Sequence, residues 1–439
     1  MKRIVLLTLS VLLMFSMLLI GCSQRTGNSA APAGETTAPS DSASKETIGG
    51  DGAKVKLTVY STTNDKPVQE VFKQIAADFT KENPNIAVDL QFPGSEYENI
   101  MKVKMAANDL PDVFDTHGWA VMRYGKYLAD LRDEAWVADQ TDTIKDVVTD
   151  KDGKVHALVM SEAKDGLTYN VDLLKKYNIE PPKTFDELMA AAEKIKTESG
   201  GEVTPFFFSG IDDWMIGQFF DYFATSLLIS PAQNEADNLL NKTFDWSKWT
   251  PLPEKFLEMY NKGYINKDVL TAKYSDLPQQ FADGKVAFTL LGPSFADEVH
   301  KINPDLKIGF MPVPSMVEGD EPNFSGGERY TFGAWKDSKH LEEAKKFIAY
   351  FAKPENIEKI ANVTKLPPGL KNIKASHEFT EYYEKYADIR VFPYFDRVYL
   401  PSGMWDVMCK TGSALLGGQV TPEQYSEKMK SEAERLSNK

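Results

Sequence analysis

Between Val55 and Phe114 the hydrophobic period of the chain switches four times, and this ordering constrains the fold more than any other feature. In "VKLTVYS", Val55, Leu57 and Val59 alternate with Lys56 and Thr58, the two-residue period of a strand. Val68, Val71, Phe72, Ile75, Ala76 and Phe79 then recur at three- and four-residue spacing, which predicts an amphipathic helix stopped by "ENPN". "IAVDLQF" returns to alternation, with Ile86, Val88, Leu90 and Phe92 on one face. Ser95-x-x-Glu98 reads as a capping box opening a second helix, which ends near "AANDLP" before a third short strand in "DVFDT". Strand–helix–strand–helix–strand predicts a parallel sheet with right-handed crossovers, an α/β fold. Ligands of such sheets bind beyond the carboxyl ends of the strands. That rule points to Tyr60 and Ser61, and to the run from Asp115 to Trp119.

A second alternating region starts at "GLTYNVDLLKKYNIEPPKTFDELMAAAEKIK". "LTYN" reads as a strand, and Thr184-x-x-Glu187 as a capping box ahead of the stripe Phe185, Leu188, Ala192 and Ile195. Strand signals follow in "FADGKVAFTLLGPS", "LKIGFMPVP" and "RYTFGAWKDS", and the tail is helical in pattern, ending with a segment from Thr421 to Leu436. About 385 residues follow the first fifty-four, more than one domain usually holds, so two lobes are expected.

The first fifty-four residues have a different character. Lys2 and Arg3 precede an apolar run, Ile4–Ile20, and Leu19-Ile20-Gly21-Cys22 closes it. This start resembles a bacterial lipobox, whose cysteine is lipidated and becomes the first residue of the mature chain. The resemblance implies a signal peptide over 1–21 and a membrane anchor on Cys22. Residues 22–54, rich in Ser, Thr, Ala, Gly and Pro, are expected to form a flexible linker. Cys409 is the second of the two cysteines, so no disulfide can form within the mature globule. The net charge of −14 argues against nucleic acid or anionic lipid as the main partner.

Five blocks, in this order, carry a further resemblance: "LPDVF", "GLTYNVDLLKKYNIEPPKTFDEL", "FADGKVAF", "GFMPVPS" and "GGERYTFGAWKDSKHLEEAKKFIAYFAKPEN". They are similar to the solute-binding proteins of bacterial ABC importers, in the carbohydrate branch typified by maltose-binding protein. The resemblance implies a type II, two-lobe periplasmic-binding-protein-like fold, with each lobe a mainly parallel sheet flanked by helices. The expected division is 55–162 plus 309–360 for the first lobe and 163–308 plus 361–439 for the second. It further implies a monomer on the extracytoplasmic face of the cell membrane. That monomer would capture a sugar between its lobes and deliver it to a permease, without catalysis and without a cofactor.

A sugar offers apolar C–H faces and a rim of hydroxyls, so its site needs flat rings and fixed polar groups. Family matching carries Asp115 and Trp119 onto the loop after "PDVF", Tyr60 onto the loop after the first strand, and Glu162 onto the crossing into the second lobe. Trp214, preceded by Asp213, matches a stacking aromatic, and Phe295 stands where the family often has tryptophan. Glu328 follows "SGG", Trp405 falls in "PSGMWDV", and His117 is read as a donor to a hydroxyl or part of the cleft wall.

A glycoside hydrolase would need an acid and a base flanking the scissile bond. His117, His156, His300, His340 and His377 show no metal-ligand spacing, and no nucleophile elbow, dinucleotide fingerprint or P-loop is present. The same fold could also take a peptide, a polyamine or a metal chelate, and the sequence does not specify which sugar.

Overall fold

The computed structural model describes residues 44–48 and 54–438. The expected signal segment 1–21, Cys22 and most of the expected linker lie outside the described residues. Within the linker range, Ser44–Ile48 is not linker but an edge strand, antiparallel to Ile86–Phe92 with Ser44 opposite Phe92. Without it, Ile86–Phe92 would offer an open sheet edge, and such an edge pairs readily with any neighbouring extended segment.

The βαβαβ pattern forms as the periodicity dictates. Val55–Tyr60 pairs in parallel with both Ile86–Phe92 and Val113–Phe114. Helix Lys66–Glu82 buries Val68, Phe72, Ile75, Ala76 and Phe79 against this sheet. The second helix, Tyr97–Ala107, starts after a 3-10 turn at Gly94–Glu96, so Ser95 is not its cap; Glu96 holds that position without a side-chain bond. The Thr184–Glu187 capping box does form, at the start of helix Phe185–Glu198.

Among the described residues two large hydrophobic cores form, with a small third cluster around Tyr97, Phe114 and Tyr124. One holds Leu57, Val59, Phe72, Phe79, Val88, Leu90, Phe332, Phe347 and Phe351, with Leu158 and Met160 at its edge. The other is larger and rich in phenylalanine, including Phe206, Phe208, Phe219, Phe220, Phe223, Phe256 and Phe288. Its sheet runs Ile308–Met311, Leu167–Asn170, Val286–Thr289, Thr204–Phe206. The return to the first lobe was expected at 309. Instead Ile308–Met311 pairs with Leu167–Asn170 and buries Phe310 in the larger core.

The crossing falls in two long strands, Leu158–Asp165 and Phe324–Ala334, antiparallel from Leu158 opposite Phe332 to Ser325 opposite Asp165. Phe332 lies in one core, and Phe324, at the far end of the same strand, lies in the other. A third connection runs from Leu366, in the larger core, to Leu370, in the smaller. It is tied to the first crossing strand by Glu162 N–H to Pro367 O (2.8 Å) and Gly369 N–H to Met160 O (3.1 Å). Three adjacent crossings at one edge leave the rest of the boundary between the cores open to a cleft.

Candidate ligand-binding cleft

The cleft contains two chambers. The larger, about 900 Å³, has His117, Trp119 and Arg123 on the first-lobe side, with Asp396, Arg397 and Trp405 opposite. The smaller, about 230 Å³, is lined by Trp214, Tyr274, Leu290, Pro293 and Phe295. Asp165, Gln218 and Arg329 line both and so mark their junction.

The first-lobe wall is built by a turn. Asp115 Oδ1 accepts the His117 N–H (2.9 Å), and His117 and Gly118 both take positive φ, 49° and 84°. Two left-handed residues in succession reverse the chain, which brings His117 and Trp119 to the cavity. The Arg123 guanidinium lies 4.0 Å from the Trp119 ring centroid, pairs with Glu98, and donates to Ser402 Oγ of the opposite lobe (3.1 Å). The cleft walls crowded round the His117 imidazole, whose surface stays exposed to the cavity, lower it from its usual range, and Arg397, Arg329 and Arg123 push the same way. It is therefore neutral at pH 7, with one ring nitrogen donating and the other accepting.

In the smaller chamber Trp214 opens helix Trp214–Leu228, and its ring lies 5.3 Å from that of Tyr274, tilted by 55°. Asp212 fixes the pair by accepting from Tyr274 N–H (2.7 Å) and from Ser209 Oγ (3.2 Å). The Tyr274 hydroxyl donates to Glu298 (2.6 Å), and burial raises its phenol above the usual range.

The junction is polar. Tyr394 OH donates to Asp165, and Arg329 Nη1 lies 3.4 Å from both Asp165 Oδ2 and Tyr394 OH. Strand Val391–Pro393, parallel to Phe324–Gly326, delivers Tyr394, Asp396 and Arg397 here. Asp221 accepts from Asp396 N–H (2.8 Å), so two buried carboxyl groups sit side by side. Burial pushes both upward, and for Asp221 the neighbouring Asp396 adds to it.

Of the residues singled out from sequence, His117, Trp119 and Trp405 line the larger chamber, and Trp214 and Phe295 the smaller. The remaining five line neither. Asp115 and Glu328 are buried behind the wall and bonded to Thr62, Thr116 and Thr331. Glu162, raised by burial, accepts from Thr143 Oγ1 (2.5 Å). Tyr60 packs near Tyr97 and Phe114 under Lys104, and Asp213 precedes Trp214, with burial raising its carboxyl. Sequence reasoning missed Asp165, Gln218, Tyr274, Tyr394 and Arg397. Asp165 ends a crossing strand and so had a positional signal; the other four had none. Among the described residues no group of three or more His, Cys, Asp or Glu could hold a metal ion.

Two α/β cores joined by adjacent crossings, with a ring-lined and polar cleft between them, define a two-lobe ligand receptor. The chain belongs to the bacterial extracellular solute-binding proteins, whose family pattern it matches over residues 62–358. It is 47% identical over 394 residues to the melibiose/raffinose/stachyose-binding protein MelE of Bacillus subtilis (strain 168), covering 90% of this chain and 92% of that protein. A sugar transporter structure from Bacillus licheniformis in complex with stachyose is 50% identical, with TM-score 0.79, over 87% of this chain and all of that one. A putative binding protein from Bacillus subtilis in an open conformation gives 47% identity and TM-score 0.85, over 89% of this chain and 99% of that one.

Proposed function

We propose that this chain captures a short galactose-containing oligosaccharide of the melibiose, raffinose and stachyose series between its lobes and passes it, chemically unchanged, to an ABC permease. The observation that carries this is the continuous cleft with indoles in both chambers and a polar junction. It occurs in a chain sharing about half its residues with relatives named for these sugars. Indole faces suit the C–H faces of pyranose rings, and carboxylates, guanidinium groups and a neutral imidazole suit their hydroxyls. A solute touching both walls binds the closed arrangement better and shifts the population toward it. On the same reading the receptor is a monomer, held by a lipid on Cys22 to the extracytoplasmic face of the membrane.

Calorimetric titration of melibiose, raffinose and stachyose, with maltose as control, tests the ligand class. Saturation at 100 times Kd should add about 2.7 kcal/mol to stability for the galactosides. Recovery of the sugar intact by chromatography is expected, and a cleaved product would favour a hydrolase. Cys22→Ser should release the protein from membranes.

A further inference from the structure

Four buried oxygen atoms run in a line from the cleft loop to a crossing strand. Asp115 Oδ1 lies 2.7 Å from Thr331 Oγ1, which lies 2.7 Å from Thr116 Oγ1, which lies 3.0 Å from Glu328 Oε2. Each gap has hydrogen-bond length and so needs one hydrogen. The two threonine hydroxyls supply one apiece. With both carboxylates ionised, one gap would set two lone pairs against each other in a site shielded from water, a costly arrangement.

A third hydrogen therefore belongs on one of the two acids. Asp115 accepts from Thr62 Oγ1 (2.6 Å), Thr62 N–H (3.4 Å), His117 N–H (2.9 Å) and Thr331 N–H (3.4 Å), besides Thr331 Oγ1. Donors thus point at both of its oxygens, which leaves no free position for a hydrogen of its own. Glu328 accepts the Ala120 N–H (3.2 Å) on Oε1 and meets Thr116 on Oε2. We propose that Glu328 carries the third hydrogen and donates it to Thr116 Oγ1. As a neutral acid it is then a positioning residue that holds the His117–Trp119 loop in the shape needed for ligand capture.

The hydrogens then run in one sense, Glu328 to Thr116 to Thr331 to Asp115, and Thr331 Oγ1 also accepts the Thr116 N–H (2.8 Å). The capture role rests on the ligand-binding reading; the protonation does not. Burial pushes the Glu328 carboxyl up to about 7, and Asp115 adds to this, while the Ala120 N–H, the Thr116 hydroxyl and Arg397 act in the opposite sense. On the paired strand Glu162 stands opposite Glu328, with Lys164 4.0 Å from Glu162. Helix Asp142–Val148, which packs on the crossing strand, has its Lys145 paired with Asp142. Helix Trp214–Leu228 brings Asp221, already bonded to Asp396, and helix Leu341–Phe351 presents Phe351 to Phe332.

A raised acid binds its proton in the folded state where the unfolded chain has lost it. Stability therefore falls as pH rises from about 4.5 to about 7, and the slope vanishes above that. Glu328→Gln mimics the neutral acid, with an amide N–H toward Thr116 and a carbonyl toward the Ala120 N–H. Without sugar, the melting temperature of the full chain should fall relative to E328Q between pH 5 and pH 7 and run parallel to it beyond. With stachyose as probe, parent affinity should weaken about two- to threefold from pH 6.5 to 8.5, the effect of a half-unit rise of this acid on closure, while E328Q stays flat. Melting profiles that stay parallel throughout, or an E328Q that binds no better than E328A, would overturn the proposal. If no sugar binds but the melting profiles diverge, the protonation stands and the capture role fails. Should E328Q not fold, infrared titration of the parent against E328A decides: a protonated-carboxyl band found only in the parent and lost near pH 7 supports the assignment, and no difference between the two at pH 6 refutes it, since the raised Asp221, Asp396 and Glu162 are common to both.

Discussion

The two chambers of the cleft meet at Asp165, Gln218 and Arg329 but are made differently. The smaller is held by second-lobe residues already packed against one another: Trp214 on Tyr274, and Phe295 on Phe281. The larger depends on groups that reach across from opposite lobes: Arg123 to Ser402, and Gly118 against Arg397. A preformed aromatic chamber provides a landing surface before the lobes close, whereas the charged one is completed by closure. The difference teaches that affinity should reside mainly in the first chamber and the conformational response in the second.

Trp214→Ala is the hardest test of that division. It removes the larger ring of the aromatic pair, and a loss of about 2–3 kcal/mol in binding, roughly 30- to 150-fold in Kd, is expected by titration with stachyose. The loss should be insensitive to salt, since no charge is removed. If Trp405→Ala in the larger chamber costs more, the division is wrong. At the junction, Asp165→Asn takes the charge from the group that faces Arg329 and accepts from Tyr394. It should weaken binding by about 2 kcal/mol, in the range for hydrogen bonds to charged groups. Because Asp165 lines both chambers, melibiose and stachyose should lose comparably.

The strand and helix order of the first lobe was legible because period two and period 3.6 differ over windows as short as "VKLTVYS" and Val68–Phe79. The crossing point was not. "LKIGFMP" announces a strand, but nothing local says whether it pairs with Leu167–Asn170 or with the first-lobe sheet, and the pairing put it in the second. The site divides similarly. Trp119, Trp214, Phe295 and Trp405 reach the cavity walls from positions the family resemblance marks. The acids Asp115, Glu162 and Glu328 instead turn inward, since a carboxyl group goes where hydrogen-bond partners are, and Thr62, Thr116, Thr143 and Thr331 supply them from distant segments. Tyr394 and Arg397 lie about sixty residues beyond the end of the strand they meet, and only the parallel pairing of Val391–Pro393 with Phe324–Gly326 brings them there.

Gly118→Ala probes closure with a smaller effect. The φ of 84° suits glycine, and a methyl group would collide with the Arg397 guanidinium of the other lobe. An affinity loss near tenfold, about 1–2 kcal/mol from backbone strain, is expected. It should appear as a smaller change in scattering radius on adding sugar, with the Trp214 fluorescence response retained. A lost fluorescence response together with an unchanged radius would mean that the aromatic chamber is not preformed.

Arg123→Met should have the least effect, and it isolates the bridge between lobes. Methionine keeps an apolar stem over Trp119 while removing the bonds to Glu98 and Ser402. Both partners are partly exposed, so the pair is screened and worth about 0.5 kcal/mol, a two- to threefold change in Kd. If closure completes the larger chamber, the cost should shrink as salt rises from 0.05 to 0.5 M, because the Debye length falls across that range to a few ångströms (about 3 Å at 1 M). A cost independent of salt would place the contribution of Arg123 in its packing over the indole, and the two chambers would then hold sugar by the same means.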